Sequence, residues 1–378
     1  MAREQEQKKS KTIKRILLFL IASSLIFTAY ANRDKLSFGG IAEWAGEISL
    51  NNAKGGGYPV SISGNTVLEL LDFDGDVAML TDTAFMVYNR TGKEIVNSQH
   101  GYGSAAVACA KNRALIYDIG GQSYKIEGKT KTVLKKETTQ KIISGDIAEN
   151  GTYVIATRSK GFLGELTVID KSGTQLFKWF SADANIIDVS LNDSATKIAV
   201  VTLTTSGGKI RSSLLVFEFG QKNPVINHSF DETLLTQAKY LTKNTIGCVG
   251  DNKYITVKGP GKEDLTEYDY NSGYLTGYSF FHDNGTALLI SKYSDKRTPS
   301  LIYIDVKGYK KVEIPTNSHI KNVLLTQKTI YLLEKNSIIP YSLSGKKLDE
   351  ISSQSDASQI AFLDNNLYVL GLNELRRY

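Results

Sequence analysis

Residues Ser358 to Tyr378, SQIAFLDNNLYVLGLNELRRY, hold three short apolar strands, SQIAFLD, LYVLG and ELRRY, where every earlier unit of the chain has room for four. The missing one stands at the other end. Tyr58 to Ser63, YPVSIS, is a lone strand-like segment that belongs to no unit of its own. Between these two ends the sequence shows no convincing amphipathic helix. It offers short runs rich in Val, Ile, Leu, Tyr and Thr, parted by Gly, Asn, Asp and Ser, which is the pattern of strands and turns.

The turns repeat. YNRTGK ends at Lys93, KIEGK at Lys129, VIDKSG at Gly173, FEFGQK at Lys222, DYNSG at Gly273, YIDVKG at Gly308 and YSLSGK at Lys346. Each follows an apolar strand with a polar residue or two, a Gly and often a Lys, as a tight hairpin with a left-handed position requires. A second set stands upstream of most of them: FDGD at Asp76, ENGT at Thr152, NDSATK at Lys197, TKNT at Thr245, DNGT at Thr286 and DNNL at Leu367. Two alternating kinds of hairpin define four-stranded antiparallel units, beginning near Asn65, Gly103, Ile142, Ile186, Leu235, Leu275, Ile320 and Ser358, about 37 to 50 residues apart. A period near 40 residues with four short strands is that of a β-propeller. With YPVSIS as the outer strand of the last unit, the ring closes and leaves no broken blade edge. The expectation is an all-β propeller of eight four-stranded blades over residues 58–378; seven blades would leave one unit unplaced.

The 378 residues are 41% hydrophobic and 22% charged, with 32 Gly and 2 Cys. That excludes disordered, collagen-like and disulfide-stapled classes. Of the net charge of +6, the first fifteen residues carry +4 through Arg3, Lys8, Lys9, Lys11, Lys14 and Arg15 against Glu4 and Glu6. The near-neutral remainder is a poor polyanion binder overall, so no nucleic-acid partner is expected. Ile16 to Ala31, ILLFLIASSLIFTAYA, is charge-free and spans about 24 Å as a helix, which Ile13 and snorkelling Lys14 and Arg15 extend toward the ~30 Å hydrocarbon core. Basic residues before it orient the N-terminus to the cytoplasm and the body outside. The segmentation is a basic cytoplasmic tail (1–15), a transmembrane signal-anchor (16–31), a juxtamembrane segment with a Gly-rich linker (32–57) and the propeller. The competing reading is a signal peptide cleaved after Ala31, since Ala29-Tyr30-Ala31 has the small-x-small form; both readings export the body. Leu36 or Phe38, Ile41, Trp44 and Ile48 recur at helical spacing, and NNAKGGG at Asn51 to Gly57 reads as a flexible linker.

Three stretches carry a resemblance: NRDKLS at Asn32 to Ser37, LTDTAFMVYNRTGKEI at Leu80 to Ile95 and NGTYVIATRSKGF at Asn150 to Phe162. Together they resemble a family of Gram-positive bacterial proteins known by a domain-of-unknown-function label. The resemblance implies one N-terminal membrane helix and an extracytoplasmic propeller, and carries over no catalytic residue. NDSATKIAVVT at Asn192 to Thr202 is also similar to the Ser-Pro-Asp-Gly turns of TolB-like and quinoprotein-like propellers, without the Pro.

Sites of chemistry are sparse. Asp72-Phe73-Asp74-Gly75-Asp76 alternates carboxylates as calcium loops do, but Gly stands too early and Thr83 occupies the twelfth position, so a plain turn is expected. His100, His228, His282 and His319 are dispersed without ligand spacing. Cys109 and Cys248 lie in apolar runs and read as unpaired buried thiols. There is no Gly-x-Ser-x-Gly elbow, Walker loop or His-Glu-x-x-His, and neither cofactor nor metal is expected. Carboxylates from the innermost strands could still meet in the central channel, where the alternative function, a hydrolase or lyase acting on a glycan or lactone, would reside.

In a propeller the second-to-third loops share one face with the connections between blades, and the other two turns of each blade share the opposite face. Three second-to-third segments read as long loops: TRSKGFLG (Thr157 to Gly164), TTSGGKIRS (Thr204 to Ser212) and SKYSDKRTP (Ser291 to Pro299). They carry Arg158, Lys160, Lys209, Arg211, Lys292, Lys296 and Arg297 against Asp295 alone. A local positive field on loops of a rigid scaffold favours an anionic partner. The expected function is a non-enzymatic binding or scaffold module in the cell envelope, with a basic face for an anionic envelope polymer or a protein partner.

Overall fold

The computed structural model describes residues 16, 19, 20, 22–24, 38–62, 64–259, 264–295, 297–316 and 319–378. Two compact units result, Met1–Ala53 and Lys54–Tyr378. In the first, the helix Phe38–Asn51 exposes Trp44 and Ile48. The basic tail and most of the expected anchor lie outside the described residues; Ile16, Phe19, Leu20 and residues 22–24 are helical. Among the described residues no helix is long and apolar enough to cross a membrane.

The second unit is an eight-bladed propeller. Residues 67–99, 105–137, 142–181, 185–231, 235–269, 274–315, 322–352 and 359–377 form blades 1 to 8, each a sheet whose strands pair antiparallel in sequence order. The innermost strands touch one another in turn around the ring, back from blade 8 to blade 1. The strand patterns follow from burial. The second and third strands of blade 1, Asp76–Thr81 and Ala84–Tyr88, are buried throughout and read as continuous apolar runs, as strands covered on both faces do. The rim strand Thr132–Glu137, TVLKKE, is almost wholly exposed.

Both faces of a central strand are used, because successive side chains point to opposite sides of a sheet. Val77 and Met79 pack toward blade 8, whereas Ala78 and Leu80 pack toward blade 2. Ala114 and Ile116 likewise face blade 1, and Leu115 and Tyr117 face blade 3. The core is therefore a ring of apolar layers, each between two adjacent blades. Polar groups fasten the same interfaces. Lys129 of blade 2, fully buried, holds Asp76 of blade 1 at 2.7 Å, and Lys125 reaches Ser98 Oγ and the Ser98 and Gln99 carbonyls.

Closure joins the two ends of this second unit. Val60–Ser61 pairs with the last strand, Glu374–Arg377, Val60 opposite Leu375 and Ser61 opposite Glu374. Ile62 N donates to Asn373 O at 2.9 Å, and the Tyr58 ring meets Tyr368 edge-on at 5.2 Å. On the inner side Gln359 of blade 8 accepts from Leu70 N of blade 1 at 3.0 Å.

Three expectations are corrected. DYNSG is not a hairpin within a blade: Asn271 and Ser272, with φ of 52° and 64°, turn the chain from blade 5 into blade 6. A left-handed turn reads the same wherever an antiparallel chain reverses, so its sequence does not say which strands it joins. TTSGGKIRS is not a loop, because strands Lys197–Ser206 and Lys209–Glu218 stay paired up to a two-residue Gly207-Gly208 turn. Cys109 is half-buried rather than buried, since its inner strand borders the channel; Cys248 is buried, and both thiols are free. The Asp72 to Asp76 stretch is the expected turn, with Asp74 and Gly75 at φ of 55° and 80° between two blade-1 strands.

The glycine-rich segment before the first strand is tied down at its end. Gly55 N donates to Thr91 Oγ1 at 2.8 Å and Gly57 N to Thr91 O at 2.9 Å. A Cβ on Gly92 would stand 2.3 Å from Gly57 O, so the YNRTGK hairpin needs glycine as the seat for the incoming chain as well as for its own turn. That hairpin joins third and fourth strands, which fixes the face at which the chain enters the ring.

Candidate functional site

The antiparallel order of the blades puts Arg158, Lys160, Lys209, Arg211, Lys292 and Arg297 on the face opposite the entry point; Lys296 lies outside the described residues. The positive surplus is smaller than the loop sequences imply. Lys209 pairs with Glu232 at 2.7 Å and Arg211 with Asp231; Asp231 ends the outer strand of blade 4 and Glu232 opens the connection to blade 5, at this same face. These contacts raise the pKa of both cations and lower that of Asp231. Arg297 stands 3.9 Å from Asp295. Arg158, Lys160 and Lys292 have no acidic partner among the described residues.

Charge is only half of this face. Ile119, Phe162, Leu163, Phe180, Tyr293 and Leu372 are all exposed there, from 40% for Phe180 to 73% for Leu372. Phe162 and Phe180 pack on each other with ring centroids 4.9 Å apart. The sequence signal was available in the same loop, since GFLG follows Arg158 and Lys160 directly, but counting charge alone passes over it.

The channel gathers a second group. Glu69, Asp72, Cys109, Asp146, Asp188, Gln237, Lys239 and Tyr278, from innermost strands of five different blades and of blade 6, line a cavity of about 590 Å³. It runs into a mouth of about 670 Å³ at the entry face, bordered by Asp74, Lys111, Glu149, Asp193 and His282. At that mouth Lys111 pairs with Glu149 at 2.7 Å, and His282 Nε2 lies 2.9 Å from Asp193. Inside, burial raises the carboxyl pKa values of Glu69, Asp72 and Asp188, the last to about 6. Lys239 is shifted upward, chiefly by Asp146 at 3.5 Å. Burial likewise pushes the Cys109 thiol up, away from the reactive thiolate.

Two of these carboxylates already have structural employment. Asp146 of blade 3 accepts from Leu191 N of blade 4 at 2.8 Å. Asp188 of blade 4 accepts from Ala238 N of blade 5 at 3.0 Å and from Ser144 Oγ of blade 3 at 2.8 Å. The pattern recurs with Ser190 to Tyr240 N and Ser279 to Leu325 N: a polar side chain on one inner strand caps a backbone N–H of the next. Such N–H groups lack a ladder partner at the channel edge and are costly to leave unmet. Glu69 makes no such bond among the described residues.

The fold is shared with solved propellers at very low sequence identity. Sqt1 of Saccharomyces cerevisiae is 7% identical with a TM-score of 0.59, over 86% of this chain and 100% of that one. Sqt1 of Chaetomium thermophilum, solved bound to the N-terminus of the ribosomal protein L10, is 10% identical with a TM-score of 0.58, over 84% and 98%. BamB of Moraxella catarrhalis is 10% identical with a TM-score of 0.50, over 84% and 100%. No curated protein matches the sequence. The profile of a family of unknown function, DUF5711, matches residues 55–377, the whole ring from the seated glycines to the closing strand, and the chain belongs to that family.

Proposed function

We propose that the chain is a membrane-anchored, extracytoplasmic recognition module of the cell envelope, held by Ile16 to Ala31 and binding its partner through the loop face. One observation carries the reading: exposed aromatic and aliphatic side chains and unpaired cations collect on the face opposite the chain's entry. Apolar anchors interleaved with Arg are the composition of protein-recognition surfaces. A rigid, closed ring spends little ordering entropy on binding. Among the described residues, an anionic envelope polymer would use Arg158, Lys160 and Lys292, because Lys209 and Arg211 are engaged and Arg297 stands by Asp295.

Photo-crosslinking residues placed in intact cells at Tyr293 and Leu372, and at Tyr309 and Leu348 on the entry face, test the face. Partner adducts are expected from the first pair, and adducts from the second pair alone would overturn the assignment. In the same cells a membrane-impermeant maleimide should label Leu372→Cys and spare Lys8→Cys; the reverse pattern would reject the topology.

A second reading, hydrolase or lyase chemistry in the channel, is favoured by the raised carboxyls of Glu69, Asp72 and Asp188 around one cavity, since acids of that kind supply protons near neutral pH. Its residue would be Glu69, since Asp188 is bonded to two neighbouring blades and Asp72 accepts from Gly75 N in its own turn. Turnover of a glycoside and lactone panel that Glu69→Gln abolishes would support it; no turnover by the full chain sinks it.

A further inference from the structure

The blade-3 corner of the loop face goes further than general stickiness. Phe162 and Phe180 lean on each other while staying 46% and 40% exposed, and Leu163 beside them is 42% exposed. Water-facing aromatic pairs of this kind leave apolar surface unsatisfied, the condition of a binding spot rather than of a core. The corner is preformed. Leu163 N donates to Ser181 O at 2.8 Å and Arg158 N to Lys141 O at 2.9 Å, which fixes both ends of the loop.

Around this ledge the charge has one sign to spare. Lys178 is used twice, on Glu165 at 2.6 Å and over the Phe180 ring at 4.9 Å. Arg158, Lys160 and Lys141 have no acidic partner among the described residues, and besides Glu165, which Lys178 holds, the acid near in sequence is Asp183, in the connection after Phe180. Resting on the loop-face reading above, we propose that this ledge docks an acidic protein segment that carries a large apolar side chain: the apolar group covers Phe162 and Phe180, and its flanking carboxylates meet Arg158, Lys160 and Lys141. An anionic lipid surface would present similar chemistry. Two rings and one leucine make a ledge the size of a single apolar side chain, which favours the protein segment, and vesicles test the lipid alternative.

The test uses the full chain in detergent and a displayed library of random twelve-residue peptides, with phosphatidylglycerol vesicles as a parallel arm. Enriched peptides are expected to combine Asp or Glu with Phe, Leu or Trp. Their affinity should fall at least tenfold in Phe162→Ser and in Leu163→Asp, with melting unchanged. In Arg158→Gln/Lys160→Gln it should fall less, with a shallower dependence on salt. Enriched peptides without acids, binding that survives all three variants, no enrichment at all, or vesicle binding that the same variants abolish would each overturn the proposal. Peptides that survive these variants but lose binding in Tyr293→Ser or Leu372→Ser would overturn the ledge and leave the loop face standing.

Discussion

Asp188 sits where three blades meet, carried by blade 4 and bonded to Ser144 of blade 3 and Ala238 of blade 5. Burial raises its pKa from 3.8 to about 6, so the folded state holds the proton more tightly than the unfolded chain. Its contribution to stability is full below about pH 4 and is lost as pH rises through about 6, by at most about 3 kcal/mol for a shift near two pKa units. Asp188→Asn should flatten the fall in denaturant midpoint between pH 4 and pH 7 relative to the wild type. Equal slopes in both would remove Asp188 from this role. What the sequence says at this scale is uneven. The carboxylates of the inner strands are plain to read, but which blade's N–H each one meets depends on stagger around the ring, which no local pattern records. Lys129 reads as a turn marker in KIEGK, yet it is fully buried on Asp76, because its partner lies in the neighbouring blade, 53 residues away in the chain.

Strand boundaries were far more legible. The units expected to begin near Asn65, Gly103 and Leu235 have their first strands at Val67, Ala105 and Leu235, since apolar runs and Gly- or Asn-bearing turns are local signals. Connectivity at the DYNSG turn and the length of the Lys197–Glu218 hairpin were not legible, because pairing partners rather than residue types decide both. The closing strand belongs here too. Val60–Ser61 contributes only two paired residues, so its hold depends on Val60, Ile62 and Leu375, all buried in the layer between blades 8 and 1. Leu375→Ala should cost about 2–5 kcal/mol, as large-to-small changes in cores do. Deleting residues 58–61 should replace one cooperative melting transition by a broad or split one; calorimetry of both variants checks this, and a parent-like transition in the deletion would show that blade 8 stands without its borrowed strand.

Around the whole ring, each apolar layer links only two neighbours, so stability passes from blade to blade and the 8–1 joint closes the circuit. The ring also sorts its chemistry by face: the acidic channel mouth, the entering glycines and most one-to-two and three-to-four turns on one side, the aromatic and unpaired basic loops on the other. The end of the chain follows the same geometry. Tyr378 exchanges backbone hydrogen bonds with Leu367, beside a one-to-two turn, so it finishes on the side where residues 55–57 come in. A fluorescent tag fused after Tyr378 would accordingly hang behind the ring and leave its recognition surface uncovered, while the same tag spliced between Gly207 and Gly208 would stand in front of it like a hand over a lens.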